Sequence, residues 1–249
     1  MDVSLDFAQR DKHNEFRGQN LAYDWAINTL KMLKEDGKKS TIVFVAFNET
    51  LREKNISELF DIANKYNSIL RMNIYRPVSN DATINSKFIC KYDEIMNFLN
   101  YVNENHNIIS IKDMLFGNIL CNENINIKDN TGVNSIRILP NGKISPSTYL
   151  ISEEFTHKYH INQDNVLSIL NFSDSIKNIL PAKCEGCEFE NSCAGGVIDR
   201  RILWYGTLKQ RDPYCPKRLR KKIPCIKFKQ SSERVSVHDE YLPTMFFKY

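Results

Sequence analysis

Four cysteines, Cys184, Cys187, Cys193 and Cys215, stand in the stretch PAKCEGCEFENSCAGGVIDRRILWYGTLKQRDPYCP, and they constrain the chain more than any other feature. Two cysteines separated by two residues turn both sulfurs toward one centre, because the tight turn between them brings them to one side of the backbone. Gly186 supplies the freedom that such a turn needs. Gly195 and Gly196 are expected to let the chain pass close to a bulky centre without Cβ clashes, and Cys215 closes a four-sulfur set. Thiolates suit zinc or an iron–sulfur cluster, and the spacing alone leaves both open. Disulfides would need an oxidising compartment, and Met1-Asp2-Val3 lacks the basic start and apolar core of an export signal.

The run CEGCEFENSCAGG, with DPYCP after it, resembles the C-terminal SPASM domain of radical S-adenosylmethionine (SAM) enzymes. That pattern reads C-x9-15-G-x4-C, then C-x2-C-x5-C-x3-C, then a last cysteine, and it holds two auxiliary [4Fe-4S] clusters. Cys184, Cys187 and Cys193 match its central block, and Cys215 matches the last cysteine. At two ligand positions the chain departs from the pattern. Ser147 stands where G-x4-C, starting at Gly142, would place a cysteine, and Val197 stands at the x3-C position. Both positions serve the same auxiliary cluster in the family, the one nearer the substrate. The resemblance therefore implies that this cluster is absent and that the other is intact, a single [4Fe-4S] cluster on Cys184, Cys187, Cys193 and Cys215, with zinc as the alternative. Cys121, 21 residues before Gly142, lies beyond the usual range, and Cys90 and Cys225 fall outside the pattern.

A chain of 249 residues, 42% hydrophobic, can build one large or two modest domains. No apolar run approaches the length of a membrane span. Thiols without an export signal fit a reducing cytoplasm. The net charge of +4 is local. Lys217, Arg218, Arg220, Lys221, Lys222, Lys227 and Lys229 carry seven positive charges, and removing them leaves the rest of the chain at −3. Without an aromatic stacking array or a groove-reading motif, this run reads as a solvated tail rather than a nucleic-acid site.

From its start the chain alternates. Asp2 to Asp6 reads as a strand, Gln9 to Gly18 as a polar loop, and Gln19 to Glu35 as a helix with Ala22, Ala26, Leu30 and Leu33 inward. Thr41 to Phe47 reads as a strand buried on both faces. Asn55 and Glu58 resemble a capping pair opening a helix with Ile56, Leu59, Phe60 and Ala63 inward, and a strand follows near Ser68 to Tyr75. This order implies an α/β fold with parallel strands and right-handed crossovers. Ile95, Phe98, Leu99 and Val102 mark another helix. A hairpin is expected from Ser135 to Leu150 around Pro140-Asn141-Gly142, and a helix from Asn165 to Asn178.

Ser4-Leu5-Asp6, then His13 and Arg17-Gly18, resembles the fourth strand and following loop of a radical SAM barrel, with Phe7 in place of the usual glycine. The resemblance implies that Ser4 and Arg17 contact SAM. It also implies the C-terminal half of a parallel (β/α) barrel, because no cysteine before Cys90 supplies the C-x3-C-x2-C loop that binds the SAM-cleaving cluster. The expected division is a partial barrel over 1–78, a helical bridge over 79–119, a SPASM-like α+β domain over 120–225 and a tail over 226–249.

The implied function is part of an oxidoreductase that modifies a peptide or protein through a 5′-deoxyadenosyl radical, with the retained cluster as electron relay. SAM binds only if the barrel is completed. The implied partners are a separate N-terminal barrel half, a peptide or protein substrate and an electron donor. The alternative is a non-enzymatic iron–sulfur or zinc protein. No hydrolase site competes: His13, His106, His157, His160 and His238 lack a nucleophile arrangement, and His157 and His160 read as a surface pair. No catalytic acid or base is assigned.

Overall fold

The computed structural model describes residues 1–79, 81–120, 127–129, 131, 136–151, 179–223, 225–231, 235 and 242–249. The helix expected over Asn165 to Asn178, together with Cys121, Ser135, His157, His160 and His238, lies outside these residues.

The first strands follow the expected alternation. β1 (Asp2–Ser4), β2 (Ser40–Ala46) and β3 (Ser68–Ile74) pair in parallel. Between them lie α1 (Arg10–Arg17), α2 (Ala22–Glu35) and α3 (Glu53–Tyr66). The stretch read as a polar loop is thus mostly helix. α1 is too polar to show a core stripe, buries only His13, and stops at Gly18, whose φ of 62° is left-handed. α3 buries the expected Ile56, Leu59, Phe60 and Ala63. Its N-cap is Arg52, however, and Asn55 sits inside the helix. The Asn55 amide instead donates to the Asp6 and Thr50 carbonyls at 3.0 and 2.9 Å and accepts from the Ala8 N–H at 3.0 Å. It pins the loop that follows β1.

The sheet is mixed rather than purely parallel. Its order is β1-β2-β3-β7-β4, where β4 is Asn107–Ile111 and β7 is Thr244–Lys248. β7 runs antiparallel to both neighbours, so residues read as tail form an interior strand, and residues read as helical bridge supply an edge strand. The bridge also carries α4 (Ala82–Phe88), α5 (Tyr92–Asn105) and α6 (Met114–Leu120).

In-register residues share a face, so Val3, Ile42, Leu70, Phe247 and Ile108 form one apolar row across all five strands, each at most 7% exposed. The helices cover this row. The opposite face is more polar: Ser4, Val43, Arg71, Phe246 and Ser110 align, and Arg71 donates to the Asp2 carboxylate at 2.5 Å.

β5 (Arg137–Ile138) and β6 (Ile144–Ser145) form the expected hairpin around Gly142, φ 78°. The cysteine region is built from a single 3₁₀ turn (Ala182–Cys184), α7 (Glu190–Cys193), α8 (Ile198–Tyr205) and α9 (Pro216–Leu219). No helix among the described residues is long and apolar enough to cross a membrane.

Candidate metal centre

Each cysteine is placed by a local backbone device. Cys184 ends the 3₁₀ turn, and the Cys187 N–H donates to its carbonyl at 3.0 Å, closing the C-x2-C turn. Gly186 in that turn has φ 70°, where a side chain would be strained. Its N–H donates to the Glu190 carboxylate at 2.7 Å. Cys193 ends the single turn of α7, after which Ala194, Gly195 and Gly196 all adopt positive φ. The two glycines clear protein neighbours instead of a cofactor. A Cβ on Gly195 would lie 2.7 Å from Pro181 Cδ, and one on Gly196 would lie 2.4 Å from the Asp212 Cβ.

Cys184, Cys187, Cys193 and Cys215 line one small cavity of about 20 Å³. Leu115 and Ile119 of α6 and Phe189 form its apolar wall, and Arg211 and Lys217 add cationic groups. Arg211 stands beside Cys184, where its charge opposes part of the upward shift that burial gives this thiol. Lys217 pairs with Glu188 at 2.7 Å. Burial pushes the Cys184 and Cys193 thiols up, so both are neutral when no metal binds. No disulfide joins Cys90, Cys184, Cys187, Cys193 and Cys215.

Among the described residues, no three Cys, His, Asp or Glu side chains converge tightly enough for a single metal ion. Four thiols lining one cavity fit a thiolate-bound centre, a donor set that serves an iron–sulfur cluster or zinc. Cys90 stands apart. Its thiol lies 3.7 Å from the Tyr214 hydroxyl, and burial raises it to about 11.

The two departures from the ligand pattern each lie against a buried carboxylate. The Ser147 hydroxyl donates to Asp199 at 3.3 Å, and Asp199 also accepts from Arg76 Nε at 3.0 Å. The Arg76 guanidinium lies 5.4 Å from the centre of the Tyr149 ring. Val197 is fully buried at the N-cap of α8, its N–H donating to Asp212 at 3.0 Å. Asp199, Arg200 and Asp212 escaped the sequence reading. The only signal was an Arg200-Arg201 doublet in an otherwise amphipathic helix.

Ser4 ends β1, at the end where open parallel sheets bind ligands, and Arg17 ends α1 with its guanidinium reaching Asp6 just beyond that strand. Ser4 is exposed. Arg17 is held by Asp6, whose buried carboxylate accepts from Arg17 Nε at 2.8 Å and from the Val45 N–H at 2.9 Å. His13 Nδ1 accepts the Asp6 N–H at 3.2 Å, and burial first, then the Arg17 charge, lowers its pKa to about 4. Asp6 and His13 therefore position Arg17.

No known protein-family description and no curated protein matches this chain. Solved structures do. The radical SAM/SPASM sulfatase maturase anSMEcpe, solved with bound AdoMet and the Kp18Cys peptide, aligns with TM-score 0.61 and 16% identity over 88% of this chain and 64% of its own. The same protein with AdoMet and the Cp18Cys peptide aligns with TM-score 0.59 and 15% identity over 88% and 65%. SuiB of Streptococcus suis, a radical SAM peptide modifier, aligns with TM-score 0.60 and 18% identity over 86% and 54%. The chain thus spans less than two thirds of each. What it shares with them, at this level of identity, is the α/β fold of radical SAM/SPASM enzymes, built on a mixed sheet.

Proposed function

We propose that the four thiols hold one [4Fe-4S] cluster and that the chain works within a radical SAM/SPASM enzyme acting on a peptide or protein. The observation that carries the proposal is that Cys184, Cys187, Cys193 and Cys215, from two separate segments, line one cavity. The cluster would supply one-electron transfer. With four thiolates as ligands no iron position is left open, so relay fits better than substrate binding. Arg211 and Lys217 line the same cavity, and cations there would offset thiolate charge and tune the potential.

In this reading Ser4 and Arg17 contact SAM, with Asp6 fixing the guanidinium. Relatives of this fold were solved with AdoMet and with peptides, which supports the substrate class. β1 is a sheet edge among the described residues, where a further parallel strand, the proposed separate N-terminal barrel half, would dock. The setting proposed is cytoplasmic, with an electron donor as a further partner.

The test is anaerobic reconstitution with iron and sulfide, counting iron, sulfide and zinc per chain. About four irons and four sulfides support the cluster. One zinc without sulfide moves the protein to the structural alternative. Reductive cleavage of SAM after adding a matching N-terminal half tests the enzymatic part, and an assembled complex that leaves SAM intact counts against it.

A further inference from the structure

We infer that the cysteine site is already assembled in the metal-free protein, with Asp212 as the residue that positions Cys215. The inference rests on the cluster reading for what the site holds, but not for where its thiols stand. Cys215 comes from a segment far along the chain from Cys193, and short turns cannot bring it to the cavity. Asp212 ties the two segments together. Its N–H donates to the Gly195 carbonyl at 2.9 Å, and its carbonyl accepts the Cys215 N–H at 2.9 Å. Its carboxylate accepts the N–H of Val197 at 3.0 Å and of Tyr214 at 2.9 Å, one from each side.

Arg200 fixes that carboxylate. Its Nε and Nη2 donate to Asp212 at 2.6 to 3.0 Å, and its Nη1 and Nη2 donate to Asp113 at 2.7 and 3.2 Å. Asp113 in turn accepts the N–H groups of Leu115 and Phe116 at the start of α6, whose Leu115 lines the cavity. The two cysteine segments and the α6 wall therefore meet at one guanidinium. Asp113, Arg200 and Asp212 are all 0% exposed. Apolar residues of similar volume often stabilise such a position as well as an ion network does, so stability alone does not account for the three charges. Their bonds specify geometry.

Small metal domains commonly reach their fold only on binding the ion. Here the full chain, stripped of metal and reduced, should hold Cys215 beside the other thiols. Diamide, which takes two protons and two electrons from a thiol pair, would then join Cys215 to Cys184, Cys187 or Cys193, as mapped by mass spectrometry. Wild type is expected to cross-link readily. Asp212→Asn, nearly isosteric but uncharged, is expected to slow that cross-link at least about tenfold while the hydrogen-exchange protection of β2 and β3 is unchanged. An equal cross-linking rate in Asp212→Asn, or no cross-link to Cys215 in metal-free wild type, overturns the inference. Should Asp212→Asn fail to fold, the amides of Val197, Tyr214 and Cys215 in metal-free wild type decide the matter: slow exchange supports pre-assembly, and exchange as fast as in an open loop refutes it. Cross-linking in a wild type that takes up no iron and sulfide would sink the cluster reading alone.

Discussion

Arg76 and Asp199 meet across 123 positions of sequence, Nε to Oδ1 at 3.0 Å, with both side chains 2% exposed. Arg76 lies just beyond the carboxyl end of β3, and Asp199 lies in the first turn of α8. Their contact joins the sheet to the cysteine-rich region, with Ser147 as a third member.

Breaking this pair on one side leaves a buried charge without a partner. Asp199→Ala is expected to cost about 3–5 kcal/mol, while Arg76→Met combined with Asp199→Leu costs less than the single change. Urea unfolding of the single and double variants measures both.

Iron uptake separates the cysteines by role. Cys187→Ser should abolish bound iron and sulfide, whereas Cys90→Ser leaves them at about four each, since Cys90 stands outside the cavity-lining set. Iron and sulfide assays on both variants, purified without oxygen, check the contrast.

His13 links stability to pH. Its pKa lies at about 4 in the fold, against a usual value of 6.5, so the unfolded chain binds the proton first as pH falls. Stability from this group is complete above about pH 6.5 and is lost down to about pH 4, by an amount of about 3 kcal/mol. Asp6, whose carboxyl burial raises, and Arg17 face the same ring. Nuclear magnetic resonance titration should find the His13 ring neutral at pH 5, and His13→Gln should flatten the stability profile between these values.

Phe247 distinguishes a strand from a tail. It is fully buried in the apolar row, next to Leu70 and Ile108. Phe247→Ala should cost about 3–5 kcal/mol in thermal or urea unfolding, where a solvated tail would lose almost nothing.

Gly196 is tested by a single methyl group. At φ 93°, with the Asp212 Cβ 2.4 Å from any added Cβ, Gly196→Ala forces Asp212 away. The expected outcome is reduced iron and sulfide binding at Cys215, together with lower stability; Gly206→Ala, with open space around it, is the control for positive φ alone.

The sequence by itself determined the local elements. A nearly continuous apolar run located β2, the stripe from Ile56 to Ala63 located α3, and a four-cysteine spacing with glycines located the thiols that line one cavity. Such signals come from neighbours a few residues apart, and they survive without knowledge of the rest of the chain. The tertiary structure alone decided that Thr244–Lys248 inserts between β3 and β4, because strand order depends on pairings between distant segments. It also decided that Asn55 pins a loop instead of capping a helix, and that Ser147 bonds Asp199 while Val197 bonds Asp212. Buried charges follow the same logic. Nothing around Arg200 in sequence shows that Asp113 and Asp212 will enclose it, and only folding brings these groups close enough for their bonds to outweigh the cost of leaving water.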